Sequence, residues 1–122
     1  MKPRDFRDLQ VWQRSMALTR DVFRLTAEFP KSQTFGLASQ MQRAATSIPS
    51  NIAEGHGRLT DRSFAVFLSQ ARGSLNELQT QAELAQQMAF ADATKCRKLL
   101  VEMEEIAKML NALLTAVRRA DR

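Results

Sequence analysis

The apolar residues of this chain recur in steps of three and four, and that spacing constrains its fold more than any other feature. Toward the C-terminus, Leu99, Met103, Ile106, Leu110, Leu113 and Val117 step by 4, 3, 4, 3 and 4. Residues so spaced line one side of a helix, and Leu100, Ala107 and Leu114 widen the seam by one position. Three earlier segments share the pattern. In the first, Leu9, Trp12, Met16 and Phe23, joined by Val11, Leu18, Val22 and Leu25, form a broad stripe. It opens at Asp8 as a candidate N-cap and ends at Phe29-Pro30, because a residue before proline avoids the helical region. In the second, Leu37, Met41, Ala45, Ile48 and Ile52 are followed by Gly55 and Gly57, which close it. The third opens at a Thr60-Asp61 cap and runs through Phe64, Phe67, Leu68, Ala71, Leu75, Leu78, Ala82 and Ala85; Asp92 caps the fourth.

No segment alternates as a strand would. The spacing predicts helices over about 8–28, 33–56, 61–88 and 92–118. The links near 30–33, 56–60 and 89–92 are short, which forces neighbouring helices to run antiparallel. The expected fold is all-α: an up-down-up-down four-helix bundle that occupies residues 1–122 as one domain. Most Met and Phe residues fall on the stripes and read as core.

Pro49 breaks the local rules. It lies in Ser47-Ile48-Pro49-Ser50-Asn51, inside the second helical segment. A proline there removes a backbone hydrogen bond and costs about 3 kcal/mol in an undistorted helix. The apolar period nevertheless continues from Ile48 to Ile52, so the simplest expectation is one kinked helix, and the alternative is two helices with a tight bend. On a helical wheel, Arg43, Ser47, Asn51, Glu54 and Arg58 fall within a sector of roughly 80° opposite the apolar side. That polar line is either a solvated side-chain network or a surface that meets another subunit or a phosphate backbone.

Reactive side chains are scarce, which removes several function classes. The single cysteine, Cys96, cannot form an internal disulfide. It lies off the main seam without a CxxC neighbour and reads as an incidental thiol. The single histidine, His56, sits between two glycines with no positioned partner for general-base chemistry. Glu77, Glu83, Glu102 and Glu105 lack the Glu-x-x-His spacing of a di-iron bundle. Gly55-His56-Gly57 follows no strand and precedes no Lys-Ser/Thr, so it is no phosphate-cradling loop. No metal, cofactor or catalytic site is expected. No run approaches the roughly 20 apolar residues of a membrane span, and no apolar stretch follows the charged Met1–Asp8, so a cytoplasmic protein is expected.

Charge points to an anionic partner. Lys and Arg number 18 against 13 Asp and Glu, for a net charge of +5. Residues 1–62 hold 10 basic and 6 acidic side chains and residues 63–122 hold 8 and 7, with a further basic cluster at Arg118-Arg119…Arg122. Arginine dominates, and its planar fork suits phosphate. Helix-turn-helix, zinc-finger and RNP-like patterns are absent, and few aromatics are left over for base stacking. Any nucleic-acid binding should therefore run through phosphates, with steep salt dependence.

Specific runs of residues carry a resemblance. Asp8-Leu9…Val11-Trp12-Gln13, Phe29-Pro30…Phe35-Gly36-Leu37…Gln40-Met41-Gln42-Arg43-Ala44-Ala45, Ser47-Ile48-Pro49-Ser50-Asn51-Ile52-Ala53-Glu54-Gly55…Gly57-Arg58 and Phe67-Leu68…Ala71-Arg72-Gly73-Ser74-Leu75-Asn76-Glu77-Leu78 resemble the 23S rRNA intervening-sequence proteins. The resemblance spans nearly the whole chain. It departs at His56, where the family usually carries Tyr, and at Gln79, where it carries an acidic residue. It implies a four-helix bundle assembled as a homopentameric ring with a basic surface, and an implied role in rRNA association or processing. The family is also similar to the accessory variability proteins of diversity-generating retroelements, pentameric basic barrels that bind nucleic acid and a reverse transcriptase. Neither relative is known as an enzyme.

The combined expectation is a non-catalytic, oligomeric bundle that binds nucleic acid, structured RNA such as 23S rRNA, through a basic surface. The alternative is a structural or protein-interaction module, such as a reverse transcriptase accessory protein, that does not bind RNA directly. Arg43 and Arg58 are the leading ligand candidates, followed by Arg14, Arg20 and Arg72. Ser47, Pro49, Asn51, Glu54, Gly55, Gly57, Ser74 and Glu77 are assigned to the kink, helix packing or subunit contacts. In a pentamer the charge per chain would sum to about +25, a far stronger attractant for RNA than one subunit.

Overall fold

The computed structural model describes residues 4–121; Met1–Pro3 of the charged N-terminus and Arg122 of the C-terminal basic cluster lie outside the described residues. Four α-helices account for most of it: α1 Gln10–Thr26, α2 Leu37–His56, α3 Asp61–Gln87 and α4 Ala93–Ala120. Two short 3-10 turns, Phe6–Asp8 and Lys31–Gln33, precede α1 and α2, and no strand occurs among the described residues. Each helix packs on the next and α1 also packs on α4, which closes the bundle. Cross-helix side-chain pairs record the antiparallel order. Thr19 and Thr26 of α1 meet Ala45 and Gln42 of α2, while Arg62 and Arg72 of α3 meet Asp121, at the end of α4, and Asn111 within it.

The helix ends follow local chemistry. Thr60 accepts the Ser63 N–H at 3.1 Å to start α3, and Asp92 accepts the Lys95 N–H at 3.0 Å to start α4. Asp8 does not cap α1. It ends the first 3-10 turn, and extended Leu9 stands between it and the helix, so the cap position holds no side-chain acceptor. Asp5 instead accepts the Arg7 N–H at 2.9 Å. Helix α1 stops at Thr26 because Pro30 restricts Phe29, and Ala27–Phe29 form a turn. Helix α2 begins only at Leu37, since the chain first makes the Lys31–Gln33 turn and then bends at Gly36.

The α3–α4 connection ends α3 in a Schellman motif: Phe90 N–H bonds Ala85 O at 3.0 Å and Ala89 N–H bonds Gln86 O at 3.1 Å. The left-handed position in this motif is occupied by Ala89 at φ 55°, where glycine is usual.

The core corrects the expected stripe on α1. Val11, Ser15, Leu18, Val22 and Leu25 face inward, whereas Trp12 and Met16 are half-buried and Phe23 is 46% exposed. The buried set steps 4, 3, 4 and 3, a regular seam that the serine at its second position disguises. Ser15 is tolerated there because its hydroxyl donates to Val11 O at 2.7 Å. Trp12 packs edge-on against Phe6, ring centroids 5.3 Å apart. On α4 the seam reaches further than expected. Cys96 is fully buried in line with Leu99 and Met103, so it belongs to the core rather than off it. Leu114 is buried while Leu113 is only half-buried.

Helix α2 runs unbroken through the buried Pro49, so the two-helix alternative does not hold. Proline has no N–H to give the carbonyl four residues back, that of Ala45. Thr19 of α1 supplies a donor, its hydroxyl lying 3.1 Å from Ala45 O. Further along, α2 does not close at Gly55, which is buried inside it; the closure is at Gly57. A Cβ on Gly55 would stand 2.6 Å from Phe67 Cβ and 3.0 Å from Phe64 Cδ1, so α2 and α3 meet at a distance only glycine permits.

Candidate nucleic-acid interface

The polar line of α2 divides according to what each side chain meets. Ser47 donates to Ala44 O at 2.9 Å and Asn51 Nδ2 donates to Ser47 O at 2.8 Å. These bonds sit on either side of Pro49 and turn two members of the polar line back onto their own backbone. Arg58 does not continue the line on the helix, because α2 ends at His56 and Arg58 follows in the bend beyond it. Its Nη2 lies 2.9 Å from Glu54 Oε1, and the guanidinium covers the Phe67 ring at 4.6 Å. Arg43, at the other end, is exposed and has no ion pair among the described residues.

The remaining arginine candidates occupy different sides of the bundle. Arg14 grips Glu102 of α4 with two parallel bonds, Nε to Oε1 at 2.8 Å and Nη2 to Oε2 at 2.9 Å. These hydrogen bonds hold its guanidinium above the ordinary arginine value, so it is firmly cationic but occupied. Arg72 bridges Asn111 of α4, at 3.2 Å, and Asn76 of its own helix. Arg20 is exposed on α1, again with no ion pair among the described residues. Arg20 and Phe23, three apart, share one face of α1. The structure therefore separates Arg14 and Arg72, which tie α4 into the bundle, from Arg20, exposed on α1, and Arg43, in the groove between α1 and α2. Ser74 is half-buried and Glu77 exposed, both on α3.

Grooves among the described residues run along the helix junctions, and their charges differ. The α1–α4 groove mixes Asp21, Glu28, Arg24, Lys95 and Lys98, with Lys95 2.6 Å from Glu28 and Arg24 3.0 Å from Asp21. An α3–α4 groove contains Glu83 and Glu104 and no cation. A second α3–α4 groove contains Arg62, 3.5 Å from Asp121, and Arg118, hydrogen-bonded to Ser69. The α1–α2 groove, about 460 Å3, is lined by Phe23, Ser39, Gln42, Arg43, Thr46, Ser47 and Ser50, with one cation and no carboxylate. Sequence reasoning missed Phe23, Ser39, Gln42, Thr46 and Ser50 as surface residues. The 4-3 seam through Ser15, once recognised, places Phe23 outside the core and would have pointed to it.

His56 ends α2, half-buried, with its ring edge-on to Phe64 at 6.1 Å. Burial pushes the Cys96 thiol above its ordinary value, which suits a packed side chain and not a nucleophile. Among the described residues no three His, Cys, Asp or Glu side chains cluster as a metal site would require. No helix among them is long and apolar enough to cross a membrane.

The model of the 23S rRNA-intervening sequence protein family matches residues 7–112. The crystal structure of a protein of unknown function from the S23 ribosomal protein family of Bacteroides thetaiotaomicron VPI-5482 superposes with a TM-score of 0.80. It is 22% identical, and the alignment covers 85% of this chain and 97% of that one, which shows a shared fold. No curated protein matches the chain.

Proposed function

The chain belongs to the 23S rRNA-intervening sequence protein family, and from that premise we propose that it is a non-catalytic RNA-binding bundle acting on structured RNA such as 23S rRNA in the cytoplasm. The observation that carries the reading is that two exposed arginines, Arg20 on α1 and Arg43 in the α1–α2 groove, are neither of them neutralised by a carboxylate among the described residues. Unpaired cations on a chain of net charge +5 are free to replace the counterions of a phosphate backbone. Arg58, shared between Glu54 and the Phe67 ring, is a weaker contributor, and Arg14 and Arg72 serve the bundle itself. Assembly as a pentamer, implied by the family resemblance, would bring five such arginine pairs onto one object and strengthen its field. Filter binding with a 23S rRNA fragment and with duplex DNA, at low and at physiological salt, tests the proposal. Binding that falls steeply with salt is expected; no binding at low salt overturns it.

Phe35 and Leu59, in the loops on either side of α2, favour a second reading. Their side chains are 96% and 102% exposed. Standing at opposite ends of α2, they form no single patch, but each would offer a separate apolar anchor to a protein partner such as a reverse transcriptase served by an accessory ring. That reading requires co-purification of a protein partner that survives RNase treatment.

A further inference from the structure

The α1–α2 groove differs from the other grooves in more than charge. Phe23 reaches into it with 46% of its surface exposed, beside Arg43. Three of the four hydroxyls that line it, those of Thr46, Ser47 and Ser50, are already spoken for as donors. Thr46 donates to Gln42 O at 2.7 Å, Ser47 to Ala44 O at 2.9 Å and Ser50 to Thr46 O at 2.9 Å. A hydroxyl has one proton and two lone pairs, so each of these oxygens faces its surroundings as an acceptor. Such a wall repels the acceptor-only oxygens of a phosphate and welcomes N–H and O–H donors. The one cation in this groove, the Arg43 guanidinium, is the strongest place for a phosphate, and the Phe23 ring is its one aromatic surface.

We propose that this groove binds an unpaired nucleotide of RNA, with the base stacked on Phe23, the phosphate on Arg43, and the ribose 2′-hydroxyl donating to the Ser/Thr oxygens. The inference rests on the RNA-binding reading above and adds the site and the state of the RNA. Only an unpaired base can offer its face to an aromatic ring, because a duplex keeps its bases stacked on one another. The acceptor wall favours ribose over deoxyribose, since the 2′-hydroxyl is the donor that DNA lacks.

Fluorescence anisotropy of the full chain with three probes tests the assignment: a short unpaired RNA oligonucleotide, the same oligonucleotide in a duplex, and the unpaired DNA of the same sequence. The unpaired RNA should bind tightest. Phe23→Ala should weaken its binding about tenfold, within the range found for loss of one base stack, and leave duplex binding unchanged. Phe23→Trp, which keeps a stacking face, should retain wild-type affinity. Arg43→Gln should reduce the slope of log affinity against log salt by about 0.7, the loss of one phosphate contact on a single strand. Equal binding of all three probes by the wild type, or unchanged binding by Phe23→Ala, overturns the proposal while leaving a salt-dependent RNA binder intact. A change in mass by light scattering for Phe23→Ala, with RNA affinity unchanged, also overturns it and assigns the groove to a second copy of the chain. Absence of RNA binding by the wild type overturns both readings together.

Discussion

The Thr19 hydroxyl oxygen lies 3.1 Å from the carbonyl oxygen of Ala45, the acceptor that Pro49 leaves without its helical donor. Thr19 also lies 2.8 Å from Ser15 O, in its own helix, so one proton is shared between two carbonyls. Ser15 O keeps the usual i+4 backbone donor, whereas Ala45 O has lost its own. A proline deep in the α1–α2 contact is thus accommodated by a donor from the neighbouring helix, and the two helices are coupled at that point.

The coupling is measurable by a double-mutant cycle. Thr19→Val keeps the shape and removes the hydroxyl, leaving the Ala45 carbonyl unsatisfied, and should cost about 1–2 kcal/mol in urea unfolding. In a Pro49→Ala background the new N–H serves Ala45, so the same substitution should cost about 1 kcal/mol less. Equal costs in the two backgrounds would show that Thr19 does not compensate for the proline.

Two glycines of the bundle should respond in opposite directions to alanine. Gly55→Ala places a methyl 2.6 Å from Phe67 Cβ, an atom fixed to the α3 backbone, and should destabilise by about 1–3 kcal/mol despite the better helix propensity. Gly73 has nothing within 4 Å of its would-be Cβ. Gly73→Ala should therefore stabilise by about 0.5–1 kcal/mol. The urea midpoints of the two variants, read against wild type, decide both.

Ala89 is held at φ 55° by the Schellman bonds that end α3. A Cβ disfavours that region by about 1 kcal/mol or more, and glycine does not share the penalty. Ala89→Gly should raise stability by about 0.5–1 kcal/mol after its own entropy cost. A lower thermal midpoint for this variant would count against strain at the α3–α4 turn.

Cys96 should behave as core. Burial raises its thiol above the ordinary value, with Asp92 and Glu28 acting in the same direction. At neutral pH, Ellman's reagent should therefore react only as fast as the protein opens. A pKa raised in the folded state means that the group's stability contribution is full below the unfolded thiol's value and is lost as pH rises through the folded one. Alkaline unfolding curves should show this loss, and Cys96→Ala should lack it. Rapid stoichiometric labelling of the native protein would contradict the burial.

Much of the bundle was readable in the order of residues, and so was part of the candidate site. Thr60 and Asp92 announce their helices because a capping side chain acts within three residues of itself. Asp8 misled for the same local reason: nothing in its neighbours reveals that the chain makes a 3-10 turn before α1. The polar line was legible from Arg43 to Glu54, since Arg43, Ser47, Asn51 and Glu54 share one face of α2, while Arg58 falls beyond the helix end. Its partition into Arg43, open, and Arg58, held by Glu54 and Phe67, was not, because half of that environment comes from α3.

The sequence alone determined that four helices form and that consecutive ones run antiparallel, because apolar periodicity and short links act locally along the chain. Tertiary structure decided which of two overlapping stripes on α1 turns inward, exposing Phe23 and burying Ser15. It also decided which arginines remain free. Arg14 and Glu102 are 88 residues apart in the chain, yet closing α1 against α4 brings their charges to 2.8 Å. Pairing between charges depends on distance in space, and for residues on different helices only the assembled bundle sets that distance.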